Sequence, residues 1–277
     1  MTILVFTLIL LVGAYIAGFL GSLTGLGGGV IIIPLLTLVF HVDIRYAIGA
    51  ALLASIATSS GAASAYVKEG ITNIRLGMFL EIATTIGAVI GAFIAIYMPT
   101  NAIAVIFGVV LIFSAAMTVR KKHEAKLTKG SKLSEKLKLN STYPVNGEKV
   151  SYQLTNVAGG FSLMTLAGVL SGLLGIGSGS LKVLAMDSTM KIPFKVSTTT
   201  SNFMIGVTAA ASAVVYLQRG YMDPGIAFPV VLGVLAGALT GAKILPKINP
   251  KILRIIFAVA ITAVAIEMII NGINHKF

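Results

Sequence analysis

The chain has 277 residues, of which 56% are hydrophobic and only 11% charged, with a mean hydropathy of +0.96. That balance lies outside ordinary soluble domains and marks a polytopic membrane protein. The net charge of +12 does not signal nucleic-acid binding, because nine of the 21 basic residues sit in one segment, 119–155, and the absence of cysteine excludes disulfides, thiolate metal sites and cysteine catalysis.

Apolar runs close to ~20 residues suit bilayer-spanning helices. The first half of the chain divides into runs at 3–20, 26–40, 44–67, 71–98 and 101–118. No Lys or Arg precedes the opening run, so it is read as a span rather than a cleaved leader. A second set lies at 157–172, 179–190, 194–217, 222–245 and 250–270. The expected organisation is a first membrane repeat over 1–118, a basic cytoplasmic linker loop over 119–155 and a second membrane repeat over 156–277. The linker is expected to be hydrophilic, helical in part at 127–139, and remote from any pathway. The runs at 26–40 and 179–190 are short for spans, so eight to ten crossings are expected.

The two sets align at an offset of 150 residues. Gly18 falls on Gly168, Gly25 on Gly175, Gly27 on Gly177 and Gly29 on Gly179; further on, Gly70 falls on Gly220, Gly87 on Gly237, Gly91 on Gly241 and Phe107 on Phe257. So many matches at one offset point to an internal duplication. Charge gives its orientation. The linker carries Arg120, Lys121, Lys122, Lys126, Lys129, Lys132, Lys136, Lys138 and Lys149 against Glu124, Glu135 and Glu148, and faces the cytoplasm by the positive-inside rule. Counting outward, the neutral turn MPTN (98–101) lies outside, whereas its repeat mate INPK (248–251) lies inside. An inverted duplication explains that contrast, with both chain ends outside. The expected fold class is therefore an all-α polytopic membrane protein, built from two inverted-topology repeats with broken, glycine-rich helices.

The stretch GSLTGLGGGVIIIPLL (21–36) places five glycines in nine positions inside an apolar run. A nucleotide-binding loop would need a strand before it and a Lys-Ser/Thr pair after it, and neither is present. Gly18, Gly21 and Gly25 suit close helix packing. Gly27, Gly28 and Gly29 suit a break, since each glycine in a helix costs ~1 kcal/mol relative to alanine. A broken helix is tolerated in a membrane only inside the protein or against a wet cavity. The helix that restarts there would aim free amides and its positive end at the gap, as an anion site without charged side chains. The second half offers the same at Gly175, Gly177, Ser178 and Gly179, and an inverted repeat would bring the two ends together near the midplane.

Few ionisable groups lie within the runs. Glu81 and Asp187 are candidates for coupling to a proton or cation, since intramembrane acids usually face a pathway or a partner. Lys182 is read either as a structural partner of Asp187 or as a complement to a bound anion; Glu267 is read as interfacial. The run KVSTTTSNFMIG (195–206) holds six consecutive polar residues, more than helix back-bonding needs, and Thr199, Ser201 and Asn202 are expected to contact substrate. Pro34 is expected to end or kink its segment. His41, His123 and His275 are too scattered to hold a metal.

At TGLGGGVIIIPLL (24–36), SGLLGIGSG (171–179) and PFKVSTTTSNFMIG (193–206) the chain resembles the sulfite exporter TauE/SafE family of membrane transporters. The resemblance covers the whole chain except the basic loop. It implies transport of small sulfur-containing or organic anions, such as sulfite or sulfoacetate, across the cytoplasmic membrane, with export the assigned direction for several relatives. The alternative is an importer or channel-like permease for a different small anion. A membrane enzyme would need an acid/base set or metal ligands, and no convincing set is present, so the protein is expected not to be an enzyme and to use no cofactor. Its expected partners are a small anionic substrate and the lipid bilayer, not nucleic acid; a homo-oligomer is left open.

Overall fold

The computed structural model describes residues 3–24, 27–68, 70–119, 130–145, 148–244 and 250–276. In the first half, α1 (Ile3–Thr24), α2 (Gly29–Pro34), a π-helical turn (Leu35–Val39), α3 (Ile44–Lys68), α4 (Ile74–Tyr97) and α5 (Thr100–Val119) follow in order. Between the halves lie α6 (Lys132–Lys136) and a hairpin of β1 (Ser141–Val145) and β2 (Glu148–Tyr152). The second half repeats the first order: α7 (Val157–Leu174), α8 (Gly179–Leu184), a π-helical turn (Ala185–Thr189), α9 (Phe194–Gln218), α10 (Pro224–Ile244) and α11 (Pro250–Ile273). The offset of 150 is therefore structural as well as sequential: α2, α3, both π-helical turns and their mates begin at matching positions.

Among the described residues, six helices are long and apolar enough to cross a membrane. Their outer faces carry what a bilayer asks for. On α4, Met78, Ile82, Ile86, Ile90 and Phe93 form an exposed apolar stripe, while Leu76, Leu80, Ala83, Gly87 and Gly91 on the other face are buried. A soluble protein would not expose so large an apolar patch.

The short runs do not form full spans. Gly29–Val39 and Gly179–Thr189 are each 11 residues, about 16 Å at 1.5 Å per residue, roughly half of a ~30 Å hydrocarbon core. The first of them runs back along α1, with Gly28 beside Gly21, Leu35 beside Gly13, and Phe40 edge-on to Phe6 at 5.0 Å between ring centroids. Pro34 lies at the entry to the π-helical turn, but Leu184 holds the matching position before an equivalent turn. Proline is thus not what makes the π-helix.

Small residues decide how the helices pair. A Cβ on Gly168 or Gly172 of α7 would run into the backbone of Thr84 or Ala88 on α4, and one on Gly87 or Gly91 would strike Thr165 or Val169 in return. On the other side of the molecule, Gly18 meets Val234, and Gly233, Gly237 and Gly241 meet Leu11, Tyr15 and Phe19. Both pairs run in the same direction along their contact, with backbones close enough for dispersion and weak Cα–H bonding to hold them. By contrast, α5 and α11 run oppositely, since Asn101 pairs with His275 while Gly108 meets Ala265. So do α3 and α9, where Ser59 meets Asn202 and Gly49 meets Tyr221.

The linker differs from expectation. Among the described residues its helix is limited to Lys132–Lys136, and a two-stranded antiparallel ribbon follows, with Ser141 opposite Tyr152 and Val145 opposite Glu148. The all-α description therefore holds for the membrane part and not for the linker. Nor is the linker merely hydrophilic. Leu139, Tyr152 and Leu154 are buried against Ile71, Leu76, Leu80, Met190, Ile192 and Val196, at the ends of α4 and α9. Asn73 fastens this cap: its Oδ1 accepts from the Leu76 amide at 3.0 Å, and its Nδ2 donates to the Leu139 carbonyl and the Tyr152 hydroxyl at 3.0 and 2.8 Å. Burial pushes the Tyr152 phenol up to about 12, so it meets Asn73 as a neutral group. The 248–251 turn lies outside the described residues, apart from the start of α11.

Candidate functional site

The two glycine breaks meet. Gly27 has φ +81°, in the left-handed region that a side chain resists, and α2 starts two residues later. In the second half, Gly175 and Gly177 both have φ +68° and Ser178 has φ +46° before α8 starts at Gly179. A Cβ on Gly29 would lie 2.8 Å from the Gly175 carbonyl oxygen, 2.9 Å from Ser55 Oγ and 3.1 Å from the Ala51 carbonyl oxygen; one on Gly27 would lie 3.7 Å from the Ile176 carbonyl oxygen. A side chain is excluded at Gly29 by the facing backbone, whereas at Gly27 there is room for a Cβ and its φ is the obstacle.

Gly28 departs from expectation in one respect. Its φ is −67°, an ordinary helical value, so the Cβ penalty there is steric and not conformational: Thr58 Oγ1 would be 2.9 Å away and Val234 Cγ1 3.2 Å. The Gly28 amide is already satisfied, donating to Thr58 Oγ1 at 3.2 Å. Two hydroxyls at the junction are not. Ser55 Oγ and Ser178 Oγ are buried, at 0% and 1% exposure for their residues, and neither has a hydrogen-bond partner. Buried polar groups are normally paired, so an orphan hydroxyl beside two helix starts marks a place where a polar ligand or water completes the bonding.

A second polar centre lies on the α8 side. Lys182 is fully buried and donates from Nζ to Thr208 Oγ1 at 2.5 Å. The Thr208 hydroxyl in turn lies 2.5 Å from Glu81 Oε1, and Thr85 donates to the same oxygen at 3.4 Å. Glu81 is only 5% exposed, and its Oε2 has no partner. Lys182 therefore turns toward α9 and Glu81. Asp187 lies half-buried on the second π-helical turn.

A family model described as sulfite exporter TauE/SafE matches residues 9–268. The chain belongs to this family. Among curated TauE/SafE-like relatives, it is 32% identical to the probable membrane transporter protein YunE of Bacillus subtilis, over 81% of this chain and 83% of the relative. It is 27% identical to the probable membrane transporter protein YdhB of the same organism, over 80% and 83%. A probable membrane transporter protein of Methanocaldococcus jannaschii, MJ0441, is 26% identical over 79% and 76%. No solved structure matches.

For this TauE/SafE protein the polar run on α9 divides into three uses. Thr198 and Thr199 bond back to their own helix, on the Phe194 and Lys195 carbonyl oxygens at 2.9 and 3.1 Å, as membrane threonines commonly do. Ser201 donates to the Gly179 carbonyl oxygen at 3.1 Å, tying α9 to the start of α8, and the Asn202 carbonyl accepts from Ser59 at 2.5 Å. Thr200 Oγ1 accepts from the Asn73 amide at 3.1 Å, which joins the run to the cap. Ser201 thus sits at the second break and the Asn202 backbone faces Ser59 of α3, while the Thr199 hydroxyl is spent within its helix. Thr208 and Thr58 are site residues that the motifs alone do not single out. Their signal is the repeat itself, because they match at the offset of 150 and each contacts a break or a charge.

Proposed function

We propose that this protein is a secondary transporter that carries small sulfur-containing or organic anions, such as sulfite or sulfoacetate, out across the cytoplasmic membrane, coupled to a proton or other cation. On this reading it is a transporter and not an enzyme, and the anion sits between the two glycine breaks. The observation that carries the reading is the junction itself: Gly27 and Gly29 face the Ile176 and Gly175 carbonyl oxygens of the opposite half beside the unpaired buried hydroxyl of Ser55, and Ser178, also buried and unpaired, follows in the second break. The family description, sulfite exporter, supports an oxyanion of sulfur.

The same reading takes the halves as inverted repeats. α1 runs with α10 and α4 with α7, while α3 opposes α9 and α5 opposes α11. Since α3 and α4, and α9 and α10, are joined by short turns, those directions support each helix of one half running opposite to its mate. The basic linker would then lie on the cytoplasmic side with the 70–73 turn, and the 98–99 and 219–223 turns outside.

Proteoliposomes loaded with labelled sulfite, sulfoacetate or small carboxylates test the function. Efflux of at least one sulfur anion is expected, and Gly177→Ala and Gly29→Ala should each cut it about tenfold or more, because a Cβ forces an unfavourable φ or enters a backbone contact. Uptake alone, or an anion without sulfur as the sole substrate, would replace the export reading. Single cysteines at Thr100 and Asn249, in the matching turns of this naturally cysteine-free chain, should label from opposite faces; labelling from one face would overturn the inversion.

A further inference from the structure

We propose that Lys182, Thr208 and Glu81 form a proton-exchange element for the glycine site: as an anion enters, Lys182 turns its charge to it and Glu81 takes up a proton, so that each anion travels with one proton. This rests on the reading of the glycine junction as the anion site.

Position makes the exchange possible. Lys182 lies three residues beyond Gly179, the first residue of α8, and is fully buried. Its one link to Glu81 is indirect, through the Thr208 hydroxyl, at 2.5 Å on each side. Of the three Nζ protons, that bond uses one, and Glu81 Oε2 accepts none. The pair is therefore balanced in charge but incompletely bonded, with capacity left on both ends. An anion at the break competes with Glu81 for the ammonium group. A carboxylate stripped of its cation in an apolar bundle is costly, and neutralisation by a proton from water is the cheaper state. Lys⁺ with Glu⁻ becomes Lys⁺ with anion and a protonated Glu81, so the site's total charge is unchanged.

Among the described residues, Lys182 is the titratable side chain linked to Glu81, through Thr208. Around Glu81, α4 contributes Thr84 and Thr85 and α9 contributes Thr208, none of which titrates near neutrality. The sequences of α5 and α7 contain no acid or base; α9 has Lys195 in its first turn and Tyr216 and Arg219 two or more turns beyond Thr208; Asp187 lies half-buried on the π-helical turn. The matching positions beside the first break carry no charges. Ile32 stands for Lys182 and Val231 for Glu81, while Thr58, the mate of Thr208, caps the Gly28 amide. The repeat unit folds without the pair, which leaves function to account for it.

Calorimetric titration of the purified full-length protein, in buffers of different ionisation enthalpy, measures protons taken up per anion bound. Methanesulfonate and sulfoacetate are suitable probes because their acidic protons are lost well below neutral pH, so any proton taken up is the protein's. The wild type should take up one proton per anion, and its affinity should fall about tenfold for each pH unit. Glu81→Gln should take up close to none and lose that pH dependence. Thr208→Val should lower the uptake and Thr208→Ser restore it, a rescue that a purely structural role would not give. Anion binding that Gly177→Ala weakens, but without proton uptake in the wild type, would overturn the coupling and spare the glycine site. Undiminished uptake in Glu81→Gln would also overturn it. Absence of binding by either probe in the wild type would overturn the site and the coupling together.

Discussion

The two glycine breaks occupy matching places in the chain and have been finished differently. In the first half the break is neutral: Gly28 is helical, its amide is capped by Thr58, and Ile32 and Val231 fill the surroundings. At the second break Ser178 stands in place of Gly28 in a left-handed conformation, and Lys182 of α8 and Glu81 of α4 stand around Thr208 where the first break has Ile32 and Val231 as their sequence mates. One framework thus supplies a plain helix start and a charged one facing each other. The backbone break recurs in both halves, whereas charge stands beside only one of the two breaks, with Lys182 from the second half and Glu81 from the first.

The largest expected effect comes from making the second break resemble the first. Lys182→Ile alone leaves Glu81 buried without its cation and should destabilise the protein by about 3–5 kcal/mol. Adding Glu81→Val completes the first break's arrangement and should recover most of that loss, since an apolar replacement of a buried ion pair is often close to neutral. Thermal unfolding followed by loss of the monodisperse species in detergent reads both. A double variant no more stable than the single one would mean the charges are structural, and the comparison would fail.

A smaller difference is expected at the matching caps of α4 and α10. Asn73 accepts from the Leu76 amide, and Asp223, its mate, accepts from the Ile226 amide at 3.1 Å. Asp223→Ala should cost about 1 kcal/mol, the usual worth of an N-cap. Asn73→Ala should cost roughly twice that, because it also frees Leu139 and Tyr152 in the linker cap. Limited proteolysis of the linker should accelerate only for Asn73→Ala; equal behaviour of the two variants would show that the cap is held by its apolar contacts alone.

The smallest effect sharpens the comparison most. Ser178→Gly removes a side chain held at φ +46° and should stabilise the protein by up to about 1 kcal/mol. If the unpaired hydroxyl serves the anion, the same change should weaken anion binding several-fold. A variant both more stable and unimpaired in binding would show that Ser178 contributes nothing to the site.

Particular residues show what can be read from the chain in advance. Gly27, Gly175 and Gly177 are legible as breaks because glycines clustered in an apolar run weaken a helix by more than close packing requires. Gly28 has the same composition around it but not the same conformation, which depends on where the turn ends. The ribbon in the linker has a local signal, the Asn146-Gly147 pair, a sequence that favours a two-residue hairpin turn, in a stretch where Glu148 and Lys149 are the only charges between Ser141 and Tyr152. Lys182 is legible as unusual but not as the partner of Glu81, about 100 positions earlier in the chain. Gly18 is legible as a packing residue; that its Cβ would strike the Val234 backbone, so that alanine there wedges two helices apart, requires the contact itself.

By itself the sequence determined that the chain lies in a membrane, that glycines recur at an offset of 150, and where glycines cluster within its apolar runs. Those properties are local or periodic: apolar length, a repeated spacing, glycine in a row. Only the tertiary structure decided that the two breaks touch, that Ser55 and Ser178 are left unpaired beside them, and that Thr208 joins Lys182 to Glu81. Each of these depends on which faces of distant helices meet. In a bundle whose segments are nearly all apolar, burial has little contrast with which to choose among faces. The choice falls instead to the places where a missing Cβ lets two backbones close, and it is those contacts, at Gly18, Gly87, Gly168 and Gly237, that set the polar groups opposite one another.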